Sequence, residues 1–470
     1  MTKPVRHPLL RWMVLVGVAV ALVLAMVISV GVIAVRRHWD APAGASSVDP
    51  SLFAPTPSFV PSVPAGESDP DPACLAAALN AVPRTGAGTL TGQAIGLQSG
   101  GVLWDANSAQ PMTPASNEKL LTIMSLVTAL GPDALSTTYK TSVVAGDGDK
   151  IFLVGGGDPY LASQASTATL GQPKTLDDLA AATAAALQAA GRTSVSLGFD
   201  DTAFSGPDWN PAWDAGYNTA VTHVSALWVD EGMTPSPATT PEGVAARSVT
   251  PAYSAAKVFA SQLQAHGIKV TSVDSAGAAA PAGQQPLASI DSLPLGSIIN
   301  DTIEASDNSA AEVLLRHLAI ATGGPGSFSA GAAAVTKWLN ANDLAKPGIN
   351  IVDGSGLSHK NTMTAATLAG AVAWAYKQGG APQTIIAGLP VAAYSGTLAG
   401  RFEGPAATPA RGFVHAKTGS LDGVASLTGY AVTAKGQQVA FSVIVNGPGS
   451  YDSMRTWLDD VTAKMVTSGC

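Results

Sequence analysis

The chain has 470 residues, with 25 lysines and arginines against 33 aspartates and glutamates, giving a formal net charge of −8. That balance, with no basic run in the body of the chain, argues against a nucleic-acid surface, so no nucleic-acid partner is expected. The seven histidines are scattered and the two cysteines lie far apart, so the sequence predicts no metal site and no cofactor. The length suggests two domains, or one domain carrying an insertion.

In chain order, the first feature is an apolar run from Trp12 to Val35 broken only by Ser29. It is long enough to cross a hydrocarbon layer of about 30 Å as one helix. Lys3, Arg6 and Arg11 precede it and Arg36 and Arg37 follow, so charge does not fix its orientation. The run exceeds the apolar core of about 7–15 residues in a secretory signal. Residues 1–40 therefore read as a cytoplasmic tail and single-pass membrane anchor. Small residues at Ala41, Ala43 and Ala45 leave a cleaved signal as the alternative. Either way the rest of the chain is expected outside the cytoplasm. Residues 41–73, rich in Pro, Ser and Ala, read as a linker without a fold of its own. Cys74 opens the globular part and Cys470 ends the chain. In an oxidising compartment they would form a disulfide joining the first and last elements of one domain; the other reading is two unrelated thiols.

"GTLTGQAIGLQSGGVLWDANSAQ" reads as two strands with a turn at Ser99-Gly100-Gly101. The far end mirrors it: "GFVHAKTGSLDGVASLTGYAVTAKGQQVAFSVIVNG" alternates and breaks at Leu421-Asp422-Gly423 and Lys435-Gly436, predicting a three-strand antiparallel meander. A final helix is expected over about Asp452–Met465. Strands at both ends with helices between predict an α+β fold whose antiparallel sheet is closed by the two termini. Between them, residues 140–286 read as an inserted subdomain. Its strands are expected at Lys150–Val154, Ser194–Phe199 and Ile268–Val273, and its helices at about Leu176–Ala190 and Ala255–His266. The loop at Gly155–Gly157 lacks the Lys-Ser/Thr and helix that would make it a phosphate cradle, and reads as a turn. The catalytic part is then 74–139 with 287–470.

"PASNEKLLTIMSLVTAL", Pro114 to Leu130, predicts a helix that is apolar almost all round after Lys119 and so belongs in a core. Ser116 and Lys119 stand one turn apart at its head. Ser116 is an N-cap and Lys119 a side chain snorkelling to water, or Ser116 is a nucleophile and Lys119 its base. Two further patterns follow in order: Ser306-Asp307-Asn308 between two helical stretches, and Lys417-Thr418-Gly419 on the first meander strand. Acyl transfer explains these residue types. Neutral Lys119 would take the Ser116 proton, and Lys417 would depress the pKa of Lys119 from across the cleft. Ser306 would pass a proton to the leaving amine, and Asn308 would hold Lys119 and the substrate amide. The backbone N–H groups of Ser116 and Ser420 would form an oxyanion hole. Lys417 and Thr418 would grip a substrate carboxylate, and Gly419 would leave room for the substrate backbone. A rival Ser-x-x-Lys, Ser254 and Lys257, heads a one-sided surface helix and would leave the buried helix without a role, so Ser116 is preferred.

These three patterns, with "PMTPASNEKLLT", "VGGGDPYL", "DNSAAEVLLRHLA", "DGSGLS", "SGTLAGRF" and "HAKTGSLDGVASLTGY", make residues 74–470 resemble the class C low-molecular-mass penicillin-binding proteins of the D-alanyl-D-alanine carboxypeptidase/endopeptidase type. The resemblance implies a β-lactamase/transpeptidase-like fold with a central buried helix and a large insertion between the first and second motifs. It also implies hydrolysis of the D-Ala-D-Ala end, or of the D-Ala–diamino-acid cross-link, of peptidoglycan stem peptides, with β-lactams as inhibitors. On this resemblance alone Asp353, Ser355 and Ser358 would lie near the cleft. Arg401 and Arg411 would pair with a substrate carboxylate or, in the plainer reading, with surface acids. Because every motif lies outside the insertion, a small β-lactam is expected to react without it. The alternatives are a β-lactamase or esterase on the same scaffold, and a catalytically silent cell-wall binding protein.

Overall fold

The computed structural model describes residues 68–84, 88–168, 170–234 and 246–470. The expected anchor at 12–35 and the linker at 41–67 lie outside the described residues. Among the described residues no helix is long and apolar enough to cross a membrane.

The alternating segments at the two ends of the chain form one antiparallel sheet. Its strands run in the order Val414–Leu421, Val424–Val432, Gln438–Asn446, Thr89–Gly96 and Val102–Ala106. The termini do close it, because Thr89–Gly96 pairs antiparallel with Gln438–Asn446. The strand interiors are buried on both faces, and their period of two divides them between two cores. Ala440 and Ile444 face a core built on the helix Glu118–Leu130, whereas Val439, Phe441, Val443 and Val445 face a second core with Leu75, Trp457 and Leu458. The sheet is therefore sandwiched between helices, with Ala365–Gln378 on one face and Tyr451–Thr467 on the other. Glu118–Leu130 is buried from Glu118 through Val127, as its all-round apolar sequence predicts.

The linker expected through residue 73 ends sooner. Asp69 accepts the N–H groups of Gln98 at 3.2 Å and Ser99 at 2.9 Å, and a helix begins at Pro72 with Asp71 as its cap. Proline at the first turn and a capping aspartate are strong start signals, masked here by the Pro-rich composition just ahead. Cys74 on this helix is bonded to Cys470 across a sequence separation of 396.

A second sheet runs Lys269–Val273, Ser194–Asp200, Lys150–Val154, Lys140–Ala145, Pro286–Asp291. Two of its pairings are parallel, with helices Leu176–Ala189 and Pro251–Ala265 as the crossovers that parallel pairing requires. The chain enters through Lys140–Ala145 and leaves through its antiparallel partner Pro286–Asp291, so this sheet reaches beyond residue 286.

Arg401 does not sit at the surface. It is 4 % exposed and its Nε donates to both carboxylate oxygens of Asp459 at 3.0 Å, while the Phe402 N–H donates to the same group at 3.2 Å. This ion pair joins the loop before the meander to the C-terminal helix; Arg401 pairs with an acid of the protein, as the plainer reading has it, but the acid is buried rather than at the surface. Arg411 likewise donates to the Phe402 carbonyl at 2.9 Å. Replacing Asp459 by alanine would strand a buried guanidinium, with an expected cost of about 3–5 kcal/mol. A shift of the urea midpoint measures it, and a loss under about 1 kcal/mol would mean the pair behaves like an exposed one.

Candidate active site

A single turn of 3-10 helix, Ala115–Asn117, delivers Ser116 to the head of the buried helix. Ala115 is fully buried at φ 49°, a left-handed conformation that a non-glycine residue adopts only where its surroundings demand it. Gly356 supplies part of that demand, since a Cβ there would lie 2.0 Å from the Ala115 carbonyl oxygen. Lys119 is 0 % exposed, and its Nζ donates to Ser116 Oγ at 3.0 Å, Asn308 Oδ1 at 2.7 Å and the Ser355 carbonyl at 2.8 Å. Three acceptors match the three donors of an ammonium. The snorkelling reading is thereby excluded, and Asn117, which holds the cap position, makes no side-chain capping bond. Burial pushes the Lys119 pKa down to about 8, while Glu312, Asp307, Asp353 and Glu118 pull it the other way.

Lys417 is also fully buried, and its Nζ donates to Ser306 Oγ at 2.7 Å and the Thr418 carbonyl at 2.9 Å. Burial first, and the charge of Lys119 second, push its pKa well below the usual lysine range. For both amines burial is the largest cause of the lowered basicity, and the repulsion between them adds to it. Lys417 also presents no charge at the surface for a carboxylate to meet.

Ser306 is held at φ 58° just before the helix Asn308–Ala321. Asp307 caps that helix by accepting from the Ala310 N–H at 3.0 Å. Asn308 Oδ1 faces Lys119 as expected, and its Nδ2 donates to the carbonyl of Ala220 at 3.1 Å, so one of its two amide N–H groups is engaged within the protein.

Lys417, Thr418, Gly419 and Ser420 lie on Val414–Leu421, the edge strand of the first sheet, whose outer side is bridged at its start by Val391 opposite His415 and is left without a strand partner from Lys417 onward. Thr418 Oγ1 donates to Thr397 Oγ1 at 2.8 Å, and the hydroxyls of Ser420 and Tyr451 are bonded. Gly419 has a reason within the protein itself. A Cβ there would lie 2.1 Å from Ser426 Oγ and 2.7 Å from the Pro114 carbonyl oxygen, so the glycine lets the edge strand close on the turn carrying Ser116. Ser426 Oγ, donating to Pro114 O at 2.6 Å, completes that junction.

The "DGSGLS" loop lies inside the site's support rather than at its rim. Asp353 accepts from Trp213 Nε1 at 2.8 Å, Ser358 N at 2.8 Å, Gly356 N at 2.9 Å and Asn361 Nδ2 at 2.7 Å. Ser355 supplies the carbonyl that meets Lys119, and Ser358 Oγ donates to the Ala212 carbonyl at 3.0 Å. Trp213, Ala212 and Ala220 belong to the inserted segment. It is therefore part of the scaffold of Asn308 and Asp353, although the three motifs themselves lie outside it. The rival pair is far from such chemistry: Ser254 bonds Ser248 at 2.9 Å and Lys257 lies over the Tyr253 ring at 4.6 Å.

The sequence patterns thus bring Ser116, Lys119, Ser306, Asn308 and Lys417 into one hydrogen-bonded cluster, with Thr418, Gly419 and Ser420 beside it. Missed were Glu118 and Glu312, both fully buried, together with Trp213, Thr397 and Ser426. The two glutamates carried a signal, each a lone acid within a run otherwise fit for a core. Among the described residues no group of three or more His, Cys, Asp or Glu is placed to hold a metal ion.

The sequence matches the D-Ala-D-Ala carboxypeptidase 3 (S13) family over residues 75–243 and 235–465. It is 34% identical over 401 residues to a carboxypeptidase of Mycobacterium tuberculosis, covering 82% of this chain and 81% of that one. To carboxypeptidase DacB of Mycolicibacterium smegmatis it is 33% identical over 463 residues, 97% of each chain. The fold is similar to the crystal structure of penicillin binding protein 4 (dacB) from Haemophilus influenzae, with a TM-score of 0.66 at 21% identity over 83% of this chain and 97% of that one.

The junction at Gly419 makes a stability prediction. Gly419→Ala should destabilise by about 1–3 kcal/mol through overpacking. Adding Ser426→Ala should recover only part of this, because the Pro114 carbonyl remains 2.7 Å from the new Cβ. Urea titrations of the two variants and the intact protein measure both steps, and full recovery would show that the turn itself can yield.

Proposed function

Since this chain belongs to the D-Ala-D-Ala carboxypeptidase 3 (S13) family and is a serine-type peptidase, we propose that Ser116 forms its acyl-enzyme, with Lys119 as the base. The observation that carries the reading is the fully buried Lys119 amine, 3.0 Å from Ser116 Oγ and lowered to a pKa of about 8. At neutral pH an appreciable fraction is unprotonated, as a base requires.

In the proposed sequence Ser116 Oγ attacks the carbonyl of the penultimate D-alanine while its proton passes to Lys119 Nζ. The oxyanion is received by the N–H groups of Ser116 and Ser420. Collapse breaks the amide bond. The leaving amine takes a proton through Ser306, whose hydroxyl is bonded to Lys417 at 2.7 Å. The proton so delivered is the one Lys119 took from Ser116, which leaves Lys119 neutral. Water then attacks the ester, giving a proton to Lys119, and Lys119 returns it to Ser116 Oγ as the ester bond breaks and the acid departs. From Lys417 onward, past the bridge at His415, the outer side of the edge strand offers backbone groups to an extended stem peptide, as in strand addition. On this reading Thr418 Oγ1 on the same strand receives the terminal carboxylate, and Lys417, bonded to Ser306, serves that hydroxyl.

The proposed substrates are the D-Ala-D-Ala ends and D-Ala–diamino-acid cross-links of peptidoglycan, with β-lactams acylating the same serine. The apolar run at 12–35 supports a single-pass membrane tether with the peptidase on the outer, cell-wall side. Membrane fractionation of the full chain tests that part, and release by a salt wash would refute it.

Intact-mass analysis with penicillin, followed by peptide mapping, should place one adduct on Ser116 and none in Ser116→Ala. Rapid loss of the adduct would favour a β-lactamase. With stem peptides kcat/KM should rise as pH passes about 8, since Lys119 must lose its proton, and fall about tenfold per unit below that. Lys417→Ala should slow a neutral ester and a carboxylate-terminated peptide alike, by about 10²–10⁴. A loss confined to the carboxylate substrate would restore the ionic grip.

A further inference from the structure

Glu312 lies one turn beyond Asn308 on the same helix face and is 0 % exposed. Its Oε1 accepts the N–H groups of Ser355 at 2.7 Å and Gly354 at 3.1 Å, and its Oε2 accepts that of Gly354 at 3.0 Å. The carbonyls of the same two residues face the buried helix: Gly354 O accepts from Thr122 Oγ1 at 3.0 Å, and Ser355 O from Lys119 Nζ at 2.8 Å. The peptide unit between Gly354 and Ser355 is therefore held at its N–H by Glu312 and at its C=O by Thr122. That fixes the direction of the next carbonyl, which meets the amine. Glycine at 354 permits the approach, since a Cβ there would lie 2.7 Å from Leu315 Cβ.

We propose that Glu312 is a positioning residue for the base: it clamps Gly354–Ser355 so that the Ser355 carbonyl holds the Lys119 amine against Ser116, and its charge governs how readily that amine is protonated. The inference rests on Lys119 being the base. Acceptance of N–H bonds at both oxygens is the arrangement of an ionised carboxylate. Burial and the nearby Asp353 push the Glu312 pKa up, while its backbone donors and the adjacent Lys119 ammonium favour the ionised form. Of the charges that keep Lys119 protonated, Glu312 has the largest effect. The other charged groups around the pair are Glu118 on the buried helix, Asp307 and Arg316 on the helix of Glu312, Asp353 on the loop, and Lys417 across the cleft.

The test is the pH dependence of the penicillin acylation rate for the intact protein, Glu312→Gln, Glu312→Asp and Lys119→Met, each with a thermal melt. Removing the charge should move the acid limb of Glu312→Gln about one unit toward lower pH. Loosening the Ser355 carbonyl should lower its plateau about tenfold. Glu312→Asp keeps the charge and should keep the midpoint, with a lowered plateau from its shorter reach. A folded Glu312→Gln protein with the wild-type midpoint overturns the proposal. If that variant does not melt cooperatively, the aspartate variant decides: a wild-type plateau refutes the clamp, and a shifted midpoint refutes the charge effect. Lys119→Met that acylates at the wild-type rate would instead overturn the base assignment itself, whatever Glu312 does.

Discussion

Taking an amine wholly out of water is costly unless every donor is satisfied, and Lys119 meets that cost with acceptors from three separate parts of the chain. Ser116 comes from its own helix, Asn308 from the second helix and the Ser355 carbonyl from a loop. These segments converge because the amine needs all of them at once. Strain is concentrated around that requirement: Ala115 at φ 49° and Ser306 at φ 58° are non-glycine residues in left-handed conformations beside the two hydroxyls. Such local cost is sustained only where packing over-determines the backbone, and the buried helix from Glu118 to Val127 provides that packing.

The same demand explains why the inserted segment is woven into the site. Every four residues along one helix, Asn308, Glu312 and Arg316 look outward from a single stripe. Asn308 reaches the carbonyl of Ala220, and Arg316 donates to the carbonyls of Ser205 at 2.9 Å and Pro207 at 2.6 Å. Next to them His317 Nε2 donates to the Gly157 carbonyl at 2.8 Å and its ring stacks on Tyr139 at 3.6 Å. One helix thus carries the amine's acceptor and the attachment of the second sheet. Size alone would suggest a peripheral attachment, whereas the bonds make it a wall of the site.

What the sequence disclosed follows from how local each signal is. The meander was legible because alternation and the Gly breaks at Gly423 and Gly436 are short-range, and the buried helix because its apolar residues run all the way round. The Ser-x-x-Lys, Ser-x-Asn and Lys-Thr-Gly residues were legible as spaced motifs. Glu312 was not singled out, since its partners are backbone N–H groups that carry no side-chain signature. At Gly419 the absence of a side chain was legible, but its protein neighbour was not, because the Pro114 carbonyl comes from more than 300 positions away. The burial of the Arg401 pair was missed for a similar reason: its partner Asp459 looks like any helix-surface acid until the helix is packed. Proline-rich composition hid the helix at Pro72.

The bond between Cys74 and Cys470 makes the folded part a covalent ring. A protease that cuts one exposed loop between them leaves both halves joined, so the damaged molecule keeps its mass until it is reduced. The ring also has its ends side by side, with the two Cα atoms 5.7 Å apart. A short peptide could bridge that gap, and new termini could then be opened in any surface loop that carries no part of the site. Chain order and architecture are, for this fold, separable.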